Sequence, residues 1–450
     1  MEVTQRMPDM SATRQIAEFV SNQRTLPLTV VERAKLHIAD TLACILAGSS
    51  THAASIFMEI SAPSNHKARV IVPGLGHWDD PSLAAMLTGI CAHADDFDDT
   101  SEQSMNGHPS APILSALLPT ACMTNASGLD VIRAYAVGVE VACKLGSALG
   151  AAHTRRGWHT MSTLGALGAT AAAAALRGLD ESQTERAFAI GCSFAGGVLG
   201  NTGTMTKTLH CGRAAQAGYL AAALAERGFT AGTHILEAPH GFLDALTDRS
   251  KHRIELPALG EEWELLTPGL AVKLYPCCSC THLSIDAAIE ISKRHSFDIQ
   301  KIAHVSCFVR NECTDYLRFP NPKTGIEAKF SMNFTVAVAL ARGKITLDDF
   351  DTAALSQEDI ALLMPKVHMK TWAGEEERGL VEVVLTDGTR FTATRDVPRG
   401  SPGDPASWAD ILAKLQDAEA RARNRMQTPL AMFFASLQSM ETQSQFSDLL

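Results

Sequence analysis

The chain of 450 residues carries 39 Lys and Arg against 49 Asp and Glu, a formal net charge of −10, with 46% apolar and 20% charged residues. That balance fits a globular protein of two or three domains, and no basic run with interleaved aromatics marks a nucleic-acid partner. The 11 Cys follow no disulfide framework, no apolar run is long enough to span a bilayer, and MEVTQRMPDMSATRQ lacks the layout of a secretory signal, so a cytoplasmic protein without a membrane partner is expected.

In chain order, residues 12–48 read as two helices, with Thr29-Val30-Val31-Glu32 as a capping box and Gly48 as the stop. Residues 51–78 are mixed and short-stranded. Asp80-Pro81 reads as an N-cap and an N1 proline, opening an apolar helix that delivers the acidic run Asp95, Asp96, Asp98, Asp99 near the core. Four acids this close raise one another's proton affinity, so some require cationic partners. Helices follow over 112–124, 128–150 and from His159, where Gly165, Gly168 and an Ala run permit close approach. Asp180 to Gln183 is a second capping box. The Gly/Thr-rich loop GNTGTMTKT then opens another helix. Residues 270–275 look strand-like, 281–294 helical, 303–309 a strand, and 325–341 a helix. An Asp387-Gly388 turn joins the strands of a hairpin, 381–385 and 391–394. Two helices close the chain between about 407 and 436, packed back on the first domain, and the polar tail METQSQFSDLL is expected to fray. The fold class is mainly α: a large all-helical domain with a smaller α+β lid. The boundaries are 1–266 for the first helical part, 267–402 for the lid, and 403–450 for returning helices.

Lys207 sits beside a helix N-terminus, with His210 and Arg213 at i+3 and i+6. That spacing suits a clamp for a carboxylate, and GNTGTMTKT does not meet the P-loop pattern. His159 opens a helix after Gly157-Trp158. Cys277-Cys278-Ser279-Cys280-Thr281-His282 is rich in soft ligands, yet adjacent thiols lack knuckle spacing, so no metal is expected there. A thiol beside Lys273 and His282 is instead a candidate base of depressed pKa. Nothing matches a nucleophile elbow, a dinucleotide fingerprint or H-E-x-x-H.

The ordered set ADDFDDT at 94–100, GHPSA at 107–111, GWH at 157–159, TKTLHCGRAA at 206–215, KLYPCCSCTH at 273–282 and EAKFSMNF at 327–334 resembles the MmgE/PrpD family. That family includes 2-methylcitrate dehydratases, cis-aconitate decarboxylases and an iminodisuccinate epimerase. The resemblance implies a helical domain built from both chain ends, a late-inserted lid with the active site in the cleft, a homodimer, and no metal or organic cofactor. Small-residue helix faces lend the dimer some further support. Carried over residue by residue, it points to Asp96, His108, His159, Lys207, Cys278 and His282 as catalytic. Thr100, His210, Arg213 and Lys273 are expected to bind substrate. Two departures stand out. Vertebrate-type cis-aconitate decarboxylases place a His where this chain has Cys278, with a shorter Thr100–His108 spacing. Asn333 replaces a common Pro.

Removing a proton beside a carboxylate without a metal requires cations where charge develops and a side chain near neutrality to move the proton. A small polycarboxylate is therefore the expected substrate. The first reading is a lyase of the 2-methylcitrate dehydratase type. The alternatives are a dicarboxylate epimerase, a cis-aconitate decarboxylase, and a non-catalytic carboxylate-binding protein.

Overall fold

The computed structural model describes residues 11–61, 69–247, 254–372, 378–423, 425–426 and 428–450. The first ten residues, part of the stretch examined for a signal, and 62–68 of the mixed segment lie outside the described residues. The chain forms two compact units, one of 1–93, 99–270 and 425–450, the other of 94–98 and 271–424. The sequence boundary at 402/403 thus falls ahead of the Trp408–Arg421 helix, which groups with the second unit. No single described helix is long and apolar enough to cross a membrane.

The first unit is a helical bundle with one small hairpin, β1 (Val70–Val72) antiparallel to β2 (Gly76–Trp78). Its helices pack closely because their contact faces are nearly bare of side chains. A Cβ at Gly138 would lie 2.8 Å from the Gly168 carbonyl oxygen, and one at Gly168 would lie 2.9 Å from that of Gly138. This holds Gly128–Leu149 against Thr160–Arg177. Gly89 meets the Gly212 backbone of Met205–Glu226 in the same way. These small-residue faces are therefore consumed inside the unit and lend no support to a dimer.

Local signals fare unevenly. Asp80 Oδ1 accepts from the Ser82 and Leu83 amides at the head of Pro81–His93, and Asp180 with Gln183 forms the expected box. Thr29 caps nothing: the helix begins at Leu28 behind Pro27, and Glu32 pairs with Lys35 at 2.9 Å instead. The tail does not fray either. Phe446 and Leu449 are buried, Gly128 N–H donates to the Gln443 carbonyl, and Phe446 N–H donates to that of Ala126.

In the second unit, β3 (Ile302–Val309), β4 (Val367–Thr371), β5 (Gly379–Leu385) and β6 (Arg390–Arg395) form a sheet of order β4-β3-β5-β6. β3 and β4 are parallel, and the β5–β6 hairpin turns at Gly388 with φ 86°. Val305, Cys307, Val381 and Val383 share one apolar core with Ile285 and Ile291 of His282–Arg294 and Phe334 and Val338 of Met332–Arg342. Residues 270–275 form no ladder strand, and the helix expected over 325–341 breaks. Gly325–Ala328 stops at Lys329, and Ser331 caps the next helix by accepting from the Phe334 amide at 3.1 Å.

Candidate active site

In the second unit, three consecutive carbonyls of the acidic run are each bonded by a different buried lysine. Lys329 Nζ donates to the Asp95 carbonyl at 2.8 Å, Lys273 to that of Asp96 at 3.0 Å, and Lys414 to that of Phe97 at 2.5 Å. Lys273 also meets Asp96 Oδ2 at 3.0 Å, Lys329 meets Asp95 Oδ1 at 3.1 Å, and Lys414 stacks over the Phe97 ring. Asp96 is held at φ 52°, where a non-glycine residue is strained, so its partners fix a conformation the chain would otherwise avoid. Burial alone would pull the Lys273 ammonium down. The charges of Asp96, Asp98 and Cys278 outweigh it and push its pKa above the ordinary lysine value. Lys273 is thus neutralised chiefly by Asp96.

Lys329 keeps helical backbone angles at the end of Gly325–Ala328, and the chain leaves the helix after it. Sequence reasoning passed over Lys329 inside the quoted EAKFSMNF, and Lys414 in an amphipathic helix gave no signal beyond its apolar neighbours.

The thiol segment follows. A hydrogen bond with Cys280 lowers the pKa of Cys278, against burial and the Asp96 charge, while Lys273 lowers it further. Cys280, which also hydrogen-bonds Cys313, is pushed well up. Cys277 bonds Thr281 Oγ1 at 3.2 Å, and its burial raises its pKa to about 12. His282 packs edge-on to Tyr275 at 5.2 Å, and burial followed by the Lys273 charge drops its pKa to about 3. Its Nε2 faces the Cys277 carbonyl, which can only accept, so the ring is neutral with the proton on Nε2. It cannot serve as a cation.

In the first unit, four histidines from four elements converge. His93 ends Pro81–His93, His108 lies two residues ahead of Ser110–Thr124, His159 is the N-cap of Thr160–Arg177, and His210 stands in the second turn of Met205–Glu226. Ring centroids are 4.6 Å apart for His93 and His108, 6.4 Å for His93 and His159, and 5.2 Å for His159 and His210. His93 was not singled out from sequence; its place at the helix end beside the acidic run was the available clue. The loop carrying His108 is closed by reciprocal Ser101–Gly107 backbone bonds, and Thr160 Oγ1 donates to the Asn106 carbonyl at 2.7 Å. A Cβ at Gly107 would lie 2.3 Å from that hydroxyl oxygen, so glycine permits the approach.

His108 Nδ1 lies 2.9 Å from the Asp99 carbonyl oxygen and must donate to it. Asp99 itself is fully buried. Tyr135 donates to Ser110 Oγ, which donates to Asp99 Oδ2 at 2.5 Å, and His37 Nδ1 stands 2.9 Å from the same oxygen. Asp99 thus acts through its backbone to position His108. His159 Nδ1 and His210 Nδ1 are 3.0 Å apart, so one proton lies between them. Burial and then the Lys207 charge lower the pKa of His210. Lys207 is half-buried in the first turn of its helix. Arg213 is exposed and bonds Gln216. Thr100 is buried, and its hydroxyl has no hydrogen-bond partner among the described residues.

The MmgE/PrpD N-terminal domain matches residues 14–255, and the MmgE/PrpD C-terminal domain matches residues 275–427. The chain belongs to the MmgE/PrpD family. It is similar to the cis-aconitate decarboxylase of Homo sapiens, at 30% identity over 90% of this chain and 87% of that protein. The cis-aconitate decarboxylase of Mus musculus is 29% identical over 90% and 86% of the two chains. That of Aspergillus terreus (strain NIH 2624 / FGSC A1156) is 27% identical over 86% and 85%. These relatives identify the family member as an enzyme of lyase type. The two matched domains meet the physical division only in part, since the second unit also includes 94–98 and Lys273.

Proposed function

We propose that this chain is a carboxy-lyase acting on a small unsaturated tricarboxylate of the cis-aconitate type. The observation that carries the reading is near full-length similarity to proteins named cis-aconitate decarboxylase. In this reaction the electron pair of the breaking C–CO2 bond moves through the adjacent double bond toward a remaining carboxylate. One proton is then delivered to the carbon beside that carboxylate, so substrate plus a proton gives product plus CO2. Lys207 holds the carboxylate that takes up the charge, and the His159–His210 pair relays a proton drawn from solvent, one ring releasing it to carbon while the pair is reprotonated from water. His108, positioned by its Nδ1 bond to the Asp99 carbonyl, hydrogen-bonds the substrate. Within the second unit, Lys273 pairs with Asp96 and places positive charge at the Cys278 thiol. Thr100 is a substrate contact. The expected losses for His159→Ala or Lys207→Ala are about 10²-fold or more in turnover with the fold retained.

A second reading rests on Cys278. A thiol of lowered pKa beside Lys273 is suited to exchange an α-proton, as a two-base epimerase of a dicarboxylate requires. Incubation with cis-aconitate, citrate, 2-methylcitrate and iminodisuccinate in D2O, followed by NMR, separates the cases. The carboxy-lyase reading requires CO2 release from cis-aconitate with one deuterium in the product. Water loss from 2-methylcitrate alone restores the dehydratase reading, and exchange without CO2 supports the epimerase. A homodimer remains part of the proposal on family grounds, and a monomer mass at all concentrations in light scattering overturns it.

A further inference from the structure

A pocket of about 290 Å³ opens on the second unit, where the last turns of His282–Arg294 meet the end of β6 and the loop after it. Its charged wall is Lys293, Arg294, Arg395 and Arg399 against Asp286 and Glu290, four cations to two carboxylates. Both carboxylates are spent. Glu290 is shared at 2.5 Å by Arg294 through one oxygen and by Arg395 through the other. Asp286 Oδ1 accepts from the Tyr275 hydroxyl at 2.6 Å, and its Oδ2 accepts from the Arg399 amide at 3.0 Å. Arg399 reaches Asp410 at 2.9 Å with one guanidinium nitrogen, and among the described residues Lys293 makes no ion pair. Arg395 Nε is shielded from solvent and has no acceptor among the described residues. A shielded guanidinium N–H without an acceptor is uncommon in a folded protein, because it has lost water and gained nothing.

We propose that this pocket is a binding site for a small anion with at least two anionic groups, phosphate or carboxylate. An acceptor oxygen supplied by the ligand satisfies Arg395 Nε, and the ligand's charge offsets the one cation left in excess once Asp410 is counted against Arg399. Arg395 and Arg399 present planar forks that suit such oxygens, with Lys293 as a mobile point charge at the rim. The floor of the site is the Tyr275–Asp286 bond. Tyr275 lies two residues from both Lys273 and Cys277 and packs on His282, so an occupant touches the chain segment that carries Cys278. The site is built from second-unit residues alone and does not depend on which reaction Lys207 and the histidines perform.

Calorimetric titration of the full-length protein at low salt with sodium pyrophosphate, and separately with citrate, tests this. One or both should bind with a submillimolar Kd, which tells phosphate from carboxylate preference. Lys293→Gln/Arg395→Gln should weaken that binding by about tenfold or more, the scale of one to two charge-assisted contacts. Lys207→Ala should leave the pyrophosphate binding unchanged. Because Arg395 pairs with Glu290, its loss could unfold the unit, so Lys293→Glu alone, at an exposed position, serves as the second variant and should weaken binding severalfold. Absence of binding by both anions overturns the proposal. So does binding that survives Lys293→Glu and disappears in Lys207→Ala, which would assign it to the other site.

Discussion

Breaking the Lys273–Asp96 pair leaves a buried charge without its counterion, because both side chains are more than nine-tenths buried. Lys273→Met should therefore cost about 3–5 kcal/mol, and adding Asp96→Asn should restore a sizeable part, since the orphaned carboxylate is then gone. Urea unfolding at pH 7 reads both, and a single-variant loss below about 1 kcal/mol would refute the clamp. Glu140 behaves oppositely. Buried, and despite amide bonds from Gly260 and Glu264, it has its pKa raised to about 7. The folded state then binds a proton that the unfolded chain releases near pH 4.5, so stability falls as pH rises between those values, by up to about 3 kcal/mol. Glu140→Gln should flatten that slope between pH 5 and 8 in denaturant titrations. The acidic run was legible as a place needing cations, since like charges at that density cannot stand alone. Which lysines supply them was not, because Lys329 and Lys414 lie 234 and 317 residues away along the chain.

Helix starts were readable where a side chain does the capping and unreadable where backbone geometry does. Asp80 and Asp180 announce their helices through short-range hydrogen bonds, whereas Pro27 starts one without any side-chain cap and makes the downstream Thr29–Glu32 pattern a coincidence. The break at Lys329–Ser331 was hidden because 325–341 keeps an apolar helical pattern throughout, and the signal is a lone serine cap. Ser331→Ala should cost about 0.5–2 kcal/mol, and it should also loosen Lys329, visible as faster amide exchange at Asp95 and Asp96. Stability loss without that local exchange would detach the cap from the lysine. Similarly, the glycines of the Thr160–Arg177 helix were legible as close-approach positions, but which partner they meet was not. Their use within the bundle removes one argument for a dimer.

At the scale of the molecule, the chain leaves its first unit after His93, contributes five residues to the second, and returns at Asp99. Periodicity could reveal two fold types along the chain, but not this exchange, because five residues carry no periodic signal and their binding lysines are remote in sequence. The consequence is that residues 271–424, though nearly the span of the matched C-terminal domain, are physically incomplete. Expressed alone they lose Asp95, Asp96 and the three carbonyls that receive Lys273, Lys329 and Lys414, and keep only the bonds of Lys329 to the Pro276 carbonyl and of Lys414 to the Lys273 carbonyl. An ammonium group that stays shielded after losing its counterion costs about 3–5 kcal/mol, a large part of net stabilities of about 5–15 kcal/mol. The isolated 271–424 fragment should therefore unfold without a cooperative transition. Its Lys273→Met/Lys329→Met/Lys414→Met form, which replaces each buried charge by an apolar chain of similar length, should regain a sigmoidal one. Near-UV circular dichroism during urea titration distinguishes the two. A wild-type fragment that already unfolds cooperatively would show that the acidic segment decorates the second unit without completing it.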